Sequence, residues 1–494
     1  MPKKNLKILY VSSEVVPFAK TGGLADVSSA LPKQLKQLGH DVRVVMPKYG
    51  TIPEVKYKLR EVIRLRQIDI PLNGQIHTVA IKSAFIPDSK VQVYFVDHPK
   101  SFKRKDLYVD PRTKKDYKDN DFRFFLFSRS VLEFARTLAW QPDIIHCNDW
   151  QTCAIPLYLN TLYSKDDFFN GTKTILSLHN VGYQGNFPPS AVKVGDLPDK
   201  LFKPLSPIEF HDNFSFMKAG VSYADVITTV SEKYAHEIQS DPEYGFGMEG
   251  VLHNRKKDLY GILNGIDDTI WNPEKDSLIA HNFNPQDLEG KEENKKALLE
   301  RFDLEYNPDI PVIGIISRLA DQKGFDLISE VLNKIAALDV QMVILGTGAK
   351  KYHTLFNKAA KKYPNKISVQ LTFNNQLAHQ IEAGCDLFLM PSRYEPCGLN
   401  QMYSFMYGTV PIVRSTGGLA DTVVDIDKNS KDGTGFVFQK YDASEMLDAI
   451  KRALKLYQDR DKWQKLQIRG MNQDFSWRTS AKKYVEIYEL ALRK

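Results

Sequence analysis

The chain has 494 residues, of which 43% are hydrophobic and 26% charged, so it is expected to be globular and to form more than one domain. The formal net charge of +7 is modest for this length and includes no long basic run, which argues against nucleic-acid binding but fits an anionic small substrate. The four cysteines lack paired Cys-x-x-Cys spacing and favour reduced thiols in a cytoplasm over disulfides or zinc.

The amino terminus predicts neither a targeting segment nor a membrane segment. Residues 1–4 are basic but lead at once into an apolar strand pattern, without the apolar region of a signal peptide. No apolar run approaches the length of a membrane span, so no membrane partner is expected.

The first half of the chain predicts strands that alternate with helices. A strand at residues 8–12 precedes a helix whose apolar residues, from Leu24 to Leu38, recur at spacings of three and four. A second helix is predicted at residues 117–138, and further strands at residues 42–46, 143–146, 174–178, 225–230 and 259–263. Residues 55–98 alternate apolar and polar side chains around Asn73-Gly74, which predicts antiparallel hairpins inserted on the sheet.

The second half repeats this alternation. Residues 274–310 are polar and rich in charge, and we interpret them as a connection between domains. Strands are then predicted at residues 312–317, 342–345, 367–371, 387–390 and 410–413, followed by two helices and a last helix at about Trp477–Leu492. The predicted class is α/β, with two domains that each contain a doubly wound parallel sheet.

The segment from Asp386 to Asp421 carries the first indication of function. Glu395 follows one predicted strand and Gly417-Gly418 follow the next, so all three lie at carboxyl ends of strands, where open α/β sheets bind ligands. A glutamate beside helix N-termini that favour anions indicates a ligand with both hydroxyl and phosphate groups. Glu395 taken alone is more simply interpreted as the capping residue of an ordinary loop.

The sequence Thr-Gly-Gly-Leu-Ala-Asp occurs twice, at Thr21–Asp26 and at Thr416–Asp421. Both copies lead into a helical pattern. Two glycine-rich helix starts, one near each end of the chain, indicate two nucleotide-fold halves that face one ligand.

Arg318 and Lys323 lie on one loop between a strand and a helix, a placement that suits a diphosphate. Without the closing Gly324 they would be interpreted as solvated side chains. Asp425 and Asp427 have the spacing of a metal-dependent transferase, but their polar surroundings predict solvated carboxylates. Gly346-Thr347-Gly348 lacks the third glycine of a dinucleotide fingerprint, so no nicotinamide cofactor is expected.

Six motifs resemble the bacterial glycogen synthase and plant starch synthase family and follow its order along the chain. They are Lys20-Thr-Gly-Gly-Leu-Ala-Asp-Val27, His179-Asn-Val-Gly-Tyr-Gln-Gly185, Asn264-Gly-Ile-Asp267, Ser317-Arg-Leu-Ala-Asp-Gln-Lys-Gly324, Glu395-Pro-Cys-Gly-Leu399 and Thr416-Gly-Gly-Leu-Ala-Asp-Thr422.

The resemblance implies the glycosyltransferase B-type fold, in which two Rossmann-like domains face each other across the active-site cleft. Residues 1–264 would form the acceptor-side domain with its insertion at about residues 55–98, residues 265–475 the domain that binds the sugar nucleotide, and residues 476–494 a helix that crosses back. An amino terminus without a transit peptide points to the bacterial branch and to the cytoplasm.

The implied activity is that of a retaining, metal-independent hexosyltransferase without a cofactor, which moves glucose from ADP-glucose to the non-reducing end of an α-1,4-glucan. A homo-oligomer is left open. One alternative uses UDP-glucose or a small acceptor on the same fold, and another is a catalytically inactive glucan-binding regulator. The presence of Lys20, His179, Arg318, Lys323 and Glu395 favours an enzyme.

The resemblance also implies individual roles. Glu395 would hold the glucose hydroxyls, His179 would lie near the anomeric carbon, Asp149 would face the acceptor, and Arg318 and Lys323 would bind the diphosphate. A structural role for His179 stays equally open. Tyr403 stands where the wider superfamily has a second glutamate, which argues against a two-carboxylate mechanism.

The residues implied in binding the sugar donor include Arg318 and Lys323 again, together with Lys20, Gly22, Gly23, Asp26, Tyr108, Asn264, Phe373, Cys397, Gly398, Leu399, Thr416, Gly417 and Gly418. Lys20 and Asp26 would close over the phosphates and the sugar. Phe373 replaces a tyrosine common in the family and is either a platform for adenine or a core aromatic. Cys397 is expected to be a small buried residue rather than a nucleophile.

Overall fold

Strands that alternate with helices organise the chain into two units, each built on its own sheet. The computed structural model describes residues 5–494, and the basic residues 1–4 lie outside the described part. Unit 1 contains the chain up to Val230, Ala235–Ile262 and Trp477–Lys494, and unit 2 contains Ser231–Tyr234 and Leu263–Ser476. Within residues 5–494, no helix is long and apolar enough to span a membrane.

The first 262 residues contain thirteen strands and nine α-helices in the described part. The strands are β1 (Lys7–Val11), β2 (Asp41–Pro47), β3 (Arg60–Glu61), β4 (Ile68–Leu72), β5 (Gln75–Phe85), β6 (Gln92–Asp97), β7 (Ile144–Asn148), β8 (Lys173–Leu178), β9 (Asn186–Phe187), β10 (Glu209–Phe210), β11 (Asn213–Ser215), β12 (Val226–Thr229) and β13 (Leu259–Gly261). The helices are α1 (Gly23–Gln37), α2 (Pro99–Phe102), α3 (Asn120–Thr137), α4 (Ala154–Leu159), α5 (Ala191–Val194), α6 (Phe216–Tyr223), α7 (Glu232–Glu237), α8 (Pro242–Gly245) and α9 (Glu249–Asn254).

The main sheet of unit 1 has the strand order β13-β12-β8-β7-β1-β2-β6-β5-β3, and all neighbours from β13 to β6 are parallel. The chain leaves β1 towards β2 on one side and later returns to β7 on the other. This reversal creates a topological switch point at the carboxyl ends of β1 and β7, the place where doubly wound sheets bind ligands.

The segment predicted as an insertion, residues 55–98, contains a set of antiparallel pairings. β4 and β5 form a hairpin through Asn73-Gly74, both of which have positive φ angles. β5 continues antiparallel to β6, which joins the parallel part of the sheet.

Unit 2 contains a second sheet of six strands. Its elements are α10 (Glu289–Arg301), β14 (Val312–Ile316), α11 (Phe325–Ala336), β15 (Gln341–Leu345), α12 (Lys350–Lys362), β16 (Ile367–Gln370), α13 (Asn375–Gly384), β17 (Leu387–Met390), α14 (Asn400–Met406), β18 (Val410–Arg414), α15 (Gly417–Thr422), β19 (Phe436–Phe438), α16 (Ala443–Tyr457) and α17 (Arg460–Met471). The order β16-β15-β14-β17-β18-β19 is parallel throughout, so the prediction of a doubly wound sheet in each half is confirmed.

The interpretation of residues 274–310 as a connection is wrong, because this segment contains α10, which packs against α13 inside unit 2. The Lys291 ammonium donates to the carbonyls of Ala383 (3.1 Å) and Tyr407 (2.8 Å). Lys295 forms a buried ion pair with Asp386 at 2.9 Å. Lysine stems cover apolar surface in this helix, so its buried face does not show the usual apolar periodicity.

The last helix, α18 (Trp477–Leu492), packs on α1 and β8 of unit 1. The Tyr488 hydroxyl lies 2.7 Å from His146 Nδ1 at the centre of the sheet, and both residues are fully buried. This contact anchors the last helix of the chain to the sheet that contains its first strand, β1.

Candidate active site

The loop after β1 is organised around the buried carboxylate of Glu14. This group accepts hydrogen bonds from the backbone N–H (2.5 Å) and hydroxyl (2.6 Å) of Thr21 and from the Gly22 N–H (3.4 Å). The Tyr108 hydroxyl lies 2.8 Å from Glu14 Oε1, and burial raises the pKa of this tyrosine well above its usual value. Glu14 therefore fixes the glycine-rich turn and Tyr108 together, a role that the sequence analysis missed.

Lys20 and Asp26 lie together at the start of α1. Their side chains form an ion pair with an Nζ–Oδ1 distance of 2.8 Å, and the lysine side chain is half-exposed. The helix begins at Gly23, as the glycine-rich motif predicts. The pair leaves an ammonium and a carboxylate accessible beside the carboxyl end of β1.

His179 follows β8 and is held in one tautomer. The Asn148 amide nitrogen donates to the Val11 carbonyl (3.0 Å), so its Oδ1 faces His179 Nε2 at 3.0 Å and also accepts from the Tyr10 hydroxyl (3.0 Å). Nε2 must therefore carry the proton. Burial lowers the pKa of His179 to about 4, which keeps the imidazole neutral at pH 7.

Asp149 follows β7 in an unusual backbone conformation, with φ 55° and ψ −178°. Its carboxylate accepts the His179 backbone N–H at 2.7 Å. Burial raises the pKa of Asp149 to about 7, although the His179 and Asn180 amides act in the opposite direction. A strained residue with a perturbed pKa at a strand end is typical of a functional site.

In unit 2, Glu395 lies in the loop after β17 and contacts Lys323. Glu395 Oε2 is 2.6 Å from Lys323 Nζ and accepts a hydrogen bond from Ser392 Oγ at 2.8 Å. The glutamate is buried, whereas the lysine is partly accessible. The family resemblance implies separate roles for these two residues, and the structure places their side chains in contact.

The second glycine-rich motif holds the backbone of Glu395. Gly417 has φ +43°, and a Cβ there would lie 2.0 Å from the Glu395 carbonyl oxygen. A Cβ on Gly418 would lie 1.9 Å from the Cys397 carbonyl oxygen, so neither position has room for a side chain. The Gly418 N–H donates to the Glu395 and Pro396 carbonyls (both 3.2 Å), so this amide binds protein rather than an anion.

Cys397 is buried, as predicted, and burial raises the pKa of its thiol to about 12. The thiol is in hydrogen-bonding contact with Asn264, whose own Oδ1 is buried without a partner among residues 5–494. This oxygen can accept a hydrogen bond from a ligand hydroxyl. Gly398, with φ +71°, and Leu399 complete the turn into α14.

Arg318 is exposed after β14, on a backbone that the Gly346–Gly348 turn holds in place. The Leu319 N–H donates to the Thr347 carbonyl (2.9 Å), and the Ala349 N–H donates to the Leu319 carbonyl (2.8 Å). A Cβ on Gly346 would lie 2.0 Å from the Ser317 carbonyl oxygen. At this turn the two backbone segments approach each other closely.

Phe373 is 87% exposed beyond the end of β16. Of the two alternatives left open by the sequence, the core aromatic is therefore excluded. An apolar ring this exposed at the carboxyl edge of the sheet is available to a ligand.

The interpretation of Asp425 and Asp427 as solvated carboxylates is wrong for Asp425. Asp425 is buried and accepts hydrogen bonds from the Arg452 guanidinium (3.1 Å) and from the Val437 N–H (2.7 Å). Asp427 also pairs with Arg452. This arginine lies on α16, far along the chain, so the local sequence carried no sign of the ion pair.

Comparison with known families assigns both halves of the chain. Residues 7–254 match the starch synthase catalytic domain, and residues 298–468 match the group 1 glycosyl transferases. The loops built on Glu14, Asp149 and His179 fall in the first match, and those built on Lys323 and Glu395 fall in the second.

Full-length relatives agree with this assignment. The chain is 48% identical to a glycogen synthase of Koribacter versatilis over 98% of both chains, and 44% identical to one of Thermotoga maritima over 99% of both. Among solved structures it resembles the catalytic domain of starch synthase IV from Arabidopsis thaliana, bound to ADP and acarbose, with a TM-score of 0.88 and 33% identity over 99% of this chain and 100% of that one. The chain therefore belongs to the glycogen and starch synthase family of glucosyltransferases, with the glycosyltransferase B-type fold and with nucleotide-sugar and glucan substrates.

Proposed function

We propose that the protein transfers glucose from ADP-glucose to the non-reducing end of an α-1,4-glucan, with retention of the anomeric configuration and without a metal. The observation that carries this proposal is the Lys323–Glu395 pair, at 2.6 Å, at the carboxyl end of β17. A carboxylate and an ammonium in contact suit a ligand that presents sugar hydroxyls beside a diphosphate. The relative bound to ADP and acarbose supports an adenine nucleotide and an oligosaccharide as ligands.

In this proposal, cationic side chains stabilise the leaving group. Negative charge accumulates on the departing ADP as the glycosidic bond breaks, and preorganised hydrogen-bond donors lower the energy of that state most. Lys323 is oriented by Glu395, and Arg318 is exposed on a backbone held by the neighbouring turn. Both would bind the diphosphate, while Glu395 would hold the glucose hydroxyls.

The residues of unit 1 would act on the sugar and on the acceptor. A neutral His179 avoids repulsion with positive charge that develops at the anomeric carbon. Asp149 would face the acceptor hydroxyl, and a pKa of about 7 lets its carboxyl accept or release a proton near neutral pH. Lys20, Asp26 and Tyr108 would contact the phosphates and the sugar of the donor.

The remaining contacts to the sugar donor would come mostly from backbone and small residues. Phe373 would stack on adenine, and Asn264 Oδ1 would accept a hydrogen bond from a hydroxyl of the donor. The turns that would approach the donor closely contain Gly22, Gly23, Cys397, Gly398, Leu399, Thr416, Gly417 and Gly418.

We also propose that the protein is cytoplasmic. The four cysteines are buried free thiols, which are typical of proteins in a reducing compartment and support a cytoplasmic location.

Transfer should require neither a metal nor a cofactor, so activity should survive EDTA. Loss of activity on chelation, with recovery on adding magnesium or manganese, would contradict the metal-free mechanism.

The stereochemistry is tested on the product. Labelled glucose incorporated from ADP-glucose into glycogen should be released as maltose by an exo-acting amylase specific for α-1,4 bonds, because retention places an α bond at the non-reducing end. Label that resists this amylase would contradict either the retention or the linkage.

A further inference from the structure

Two exposed aromatic side chains of unit 1 lie on adjoining segments, one of which follows His179 in the chain. Tyr183 is 60% exposed and Phe246 is 38% exposed, whereas most other aromatic rings of the unit are buried. Neither ring has a role in the contacts described above. Exposed aromatic rings close to a reaction centre are a common form of ligand-binding surface.

The loop that presents Tyr183 is fixed at both ends. At its start, the Asn180 side chain accepts the Gly182 N–H at 2.9 Å, and its carbonyl accepts the Tyr183 N–H at 3.3 Å. At its end, Gly185 has φ +62°, and a Cβ there would lie 2.3 Å from the Trp150 ring. Tyr183 therefore lies at the tip of a rigid turn, four residues after His179.

Phe246 is held against this turn in a strained conformation. Its φ of 50° and ψ of 37° are left-handed, which is unusual and unfavourable for a bulky residue. The Gln184 side chain donates to the Phe246 carbonyl at 3.0 Å, and the ring lies 3.4 Å from the position of a Cβ on Gly182. The fold thus maintains an exposed ring at the base of the Tyr183 turn at an energetic cost.

We infer that Tyr183 and Phe246 form a platform for the α-1,4-glucan acceptor. One face of a glucose ring presents C–H groups and is apolar, so it packs on an aromatic face while its hydroxyl edges stay hydrated. The platform continues the loop of His179 and lies on the unit that contains Asp149, the proposed acceptor-side residue. This inference rests on the proposed transfer to a glucan.

The test compares the kinetics of four variants with maltoheptaose as acceptor. Tyr183→Ala and Phe246→Ala should each raise the KM for maltoheptaose about tenfold and leave the KM for ADP-glucose within about twofold. Tyr183→Phe should stay within about twofold of the wild type in both, because it keeps the ring face. Phe85→Ala is the matched control, since Phe85 is 59% exposed on β5 and should change neither constant.

Titration calorimetry with maltoheptaose alone provides a readout that does not depend on turnover. Tyr183→Ala should weaken maltoheptaose binding by a similar factor. Unchanged binding and unchanged acceptor KM in the alanine variants would overturn the inference, as would an increase confined to the KM for ADP-glucose. These outcomes differ from a failure of the proposed function itself, in which the wild-type protein would transfer no glucose to any glucan.

Discussion

Glu395 is the single residue whose replacement should affect transfer most. Glu395→Gln keeps the shape but removes the charge that orients Lys323 at 2.6 Å and that would hold the glucose hydroxyls. We expect kcat to fall by roughly a hundredfold to a thousandfold, the range found when one preorganised polar group is removed from an active site. The affinity for ADP, measured by calorimetry, should stay within about twofold.

The control for this variant is Ser392→Ala. It removes one hydrogen bond to Glu395 Oε2 and leaves the carboxylate in place, so the loss in kcat should be much smaller. Substantial turnover in Glu395→Gln would show that the carboxylate is not needed for transfer.

Substitutions at Phe373 test whether the exposed ring beyond β16 binds adenine. Phe373→Ala should raise the KM for ADP-glucose by the equivalent of about 1 kcal/mol and change kcat less, because stacking on the base contributes mainly to binding. Phe373→Tyr keeps the ring and should resemble the wild type. A KM for ADP-glucose that is equal in all three proteins would exclude the platform.

At the scale of an element, the loop between β14 and α11 is expected to act as one unit on the diphosphate. Arg318→Ala and Lys323→Ala should each lower kcat by roughly a hundredfold or more, about 2.7 kcal/mol or above. The double variant should lose less than the product of the two single losses, because both residues would stabilise the same leaving group. Losses that multiply would show that the two side chains act independently.

A prediction about stability concerns Glu382 on α13, the helix on which α10 packs. Glu382 on α13 is fully buried, and burial raises the pKa of its carboxyl to about 8. The protonated carboxyl therefore makes its full contribution to the folding free energy below the ordinary pKa of about 4.5. This contribution is lost as the pH rises towards 8, because the unfolded state releases the proton more readily than the folded state. Glu382→Gln should stabilise the protein by roughly 1–3 kcal/mol at pH 7 and by much less at pH 5.

Thermal unfolding midpoints at pH 5, 7 and 8 check this expectation. Exposed Glu300 on α10 supplies a control of the same charge change, and Glu300→Gln should leave the midpoint unchanged at each pH. A Glu382→Gln variant that is equally stable relative to the wild type at pH 5 and pH 8 would contradict a raised pKa for Glu382.

At the scale of the whole molecule, the sequence predicted most of the architecture because its strands are short apolar runs. The strands predicted at residues 387–390 and 410–413 agree with β17 and β18 to within one residue. The predicted helix at residues 117–138 begins only at Asn120, because the Tyr117 N–H donates back to the Tyr108 carbonyl in a preceding turn. The hydrophobic periodicity of a sequence does not indicate the contacts that form such a turn.

The other features that the sequence concealed involve buried charge. Lys291 and Lys295 make α10 look like a polar connection, and Asp425 looks solvated because its partner Arg452 lies on a distant helix. Glu14 carries no motif of its own, although its carboxylate organises the first glycine-rich turn. Charged residues are ordinarily exposed, so only the three-dimensional pairing reveals those that are not.

The most direct test of the account measures which nucleotide sugar the protein uses to extend a glucan. Labelled ADP-glucose and UDP-glucose are supplied separately at matched concentrations with glycogen as primer, in the presence of EDTA, and incorporation into glycogen is followed over time. The account predicts transfer from ADP-glucose with a kcat/KM at least about tenfold above that for UDP-glucose. A preference for UDP-glucose, or no incorporation from either sugar nucleotide, would contradict it.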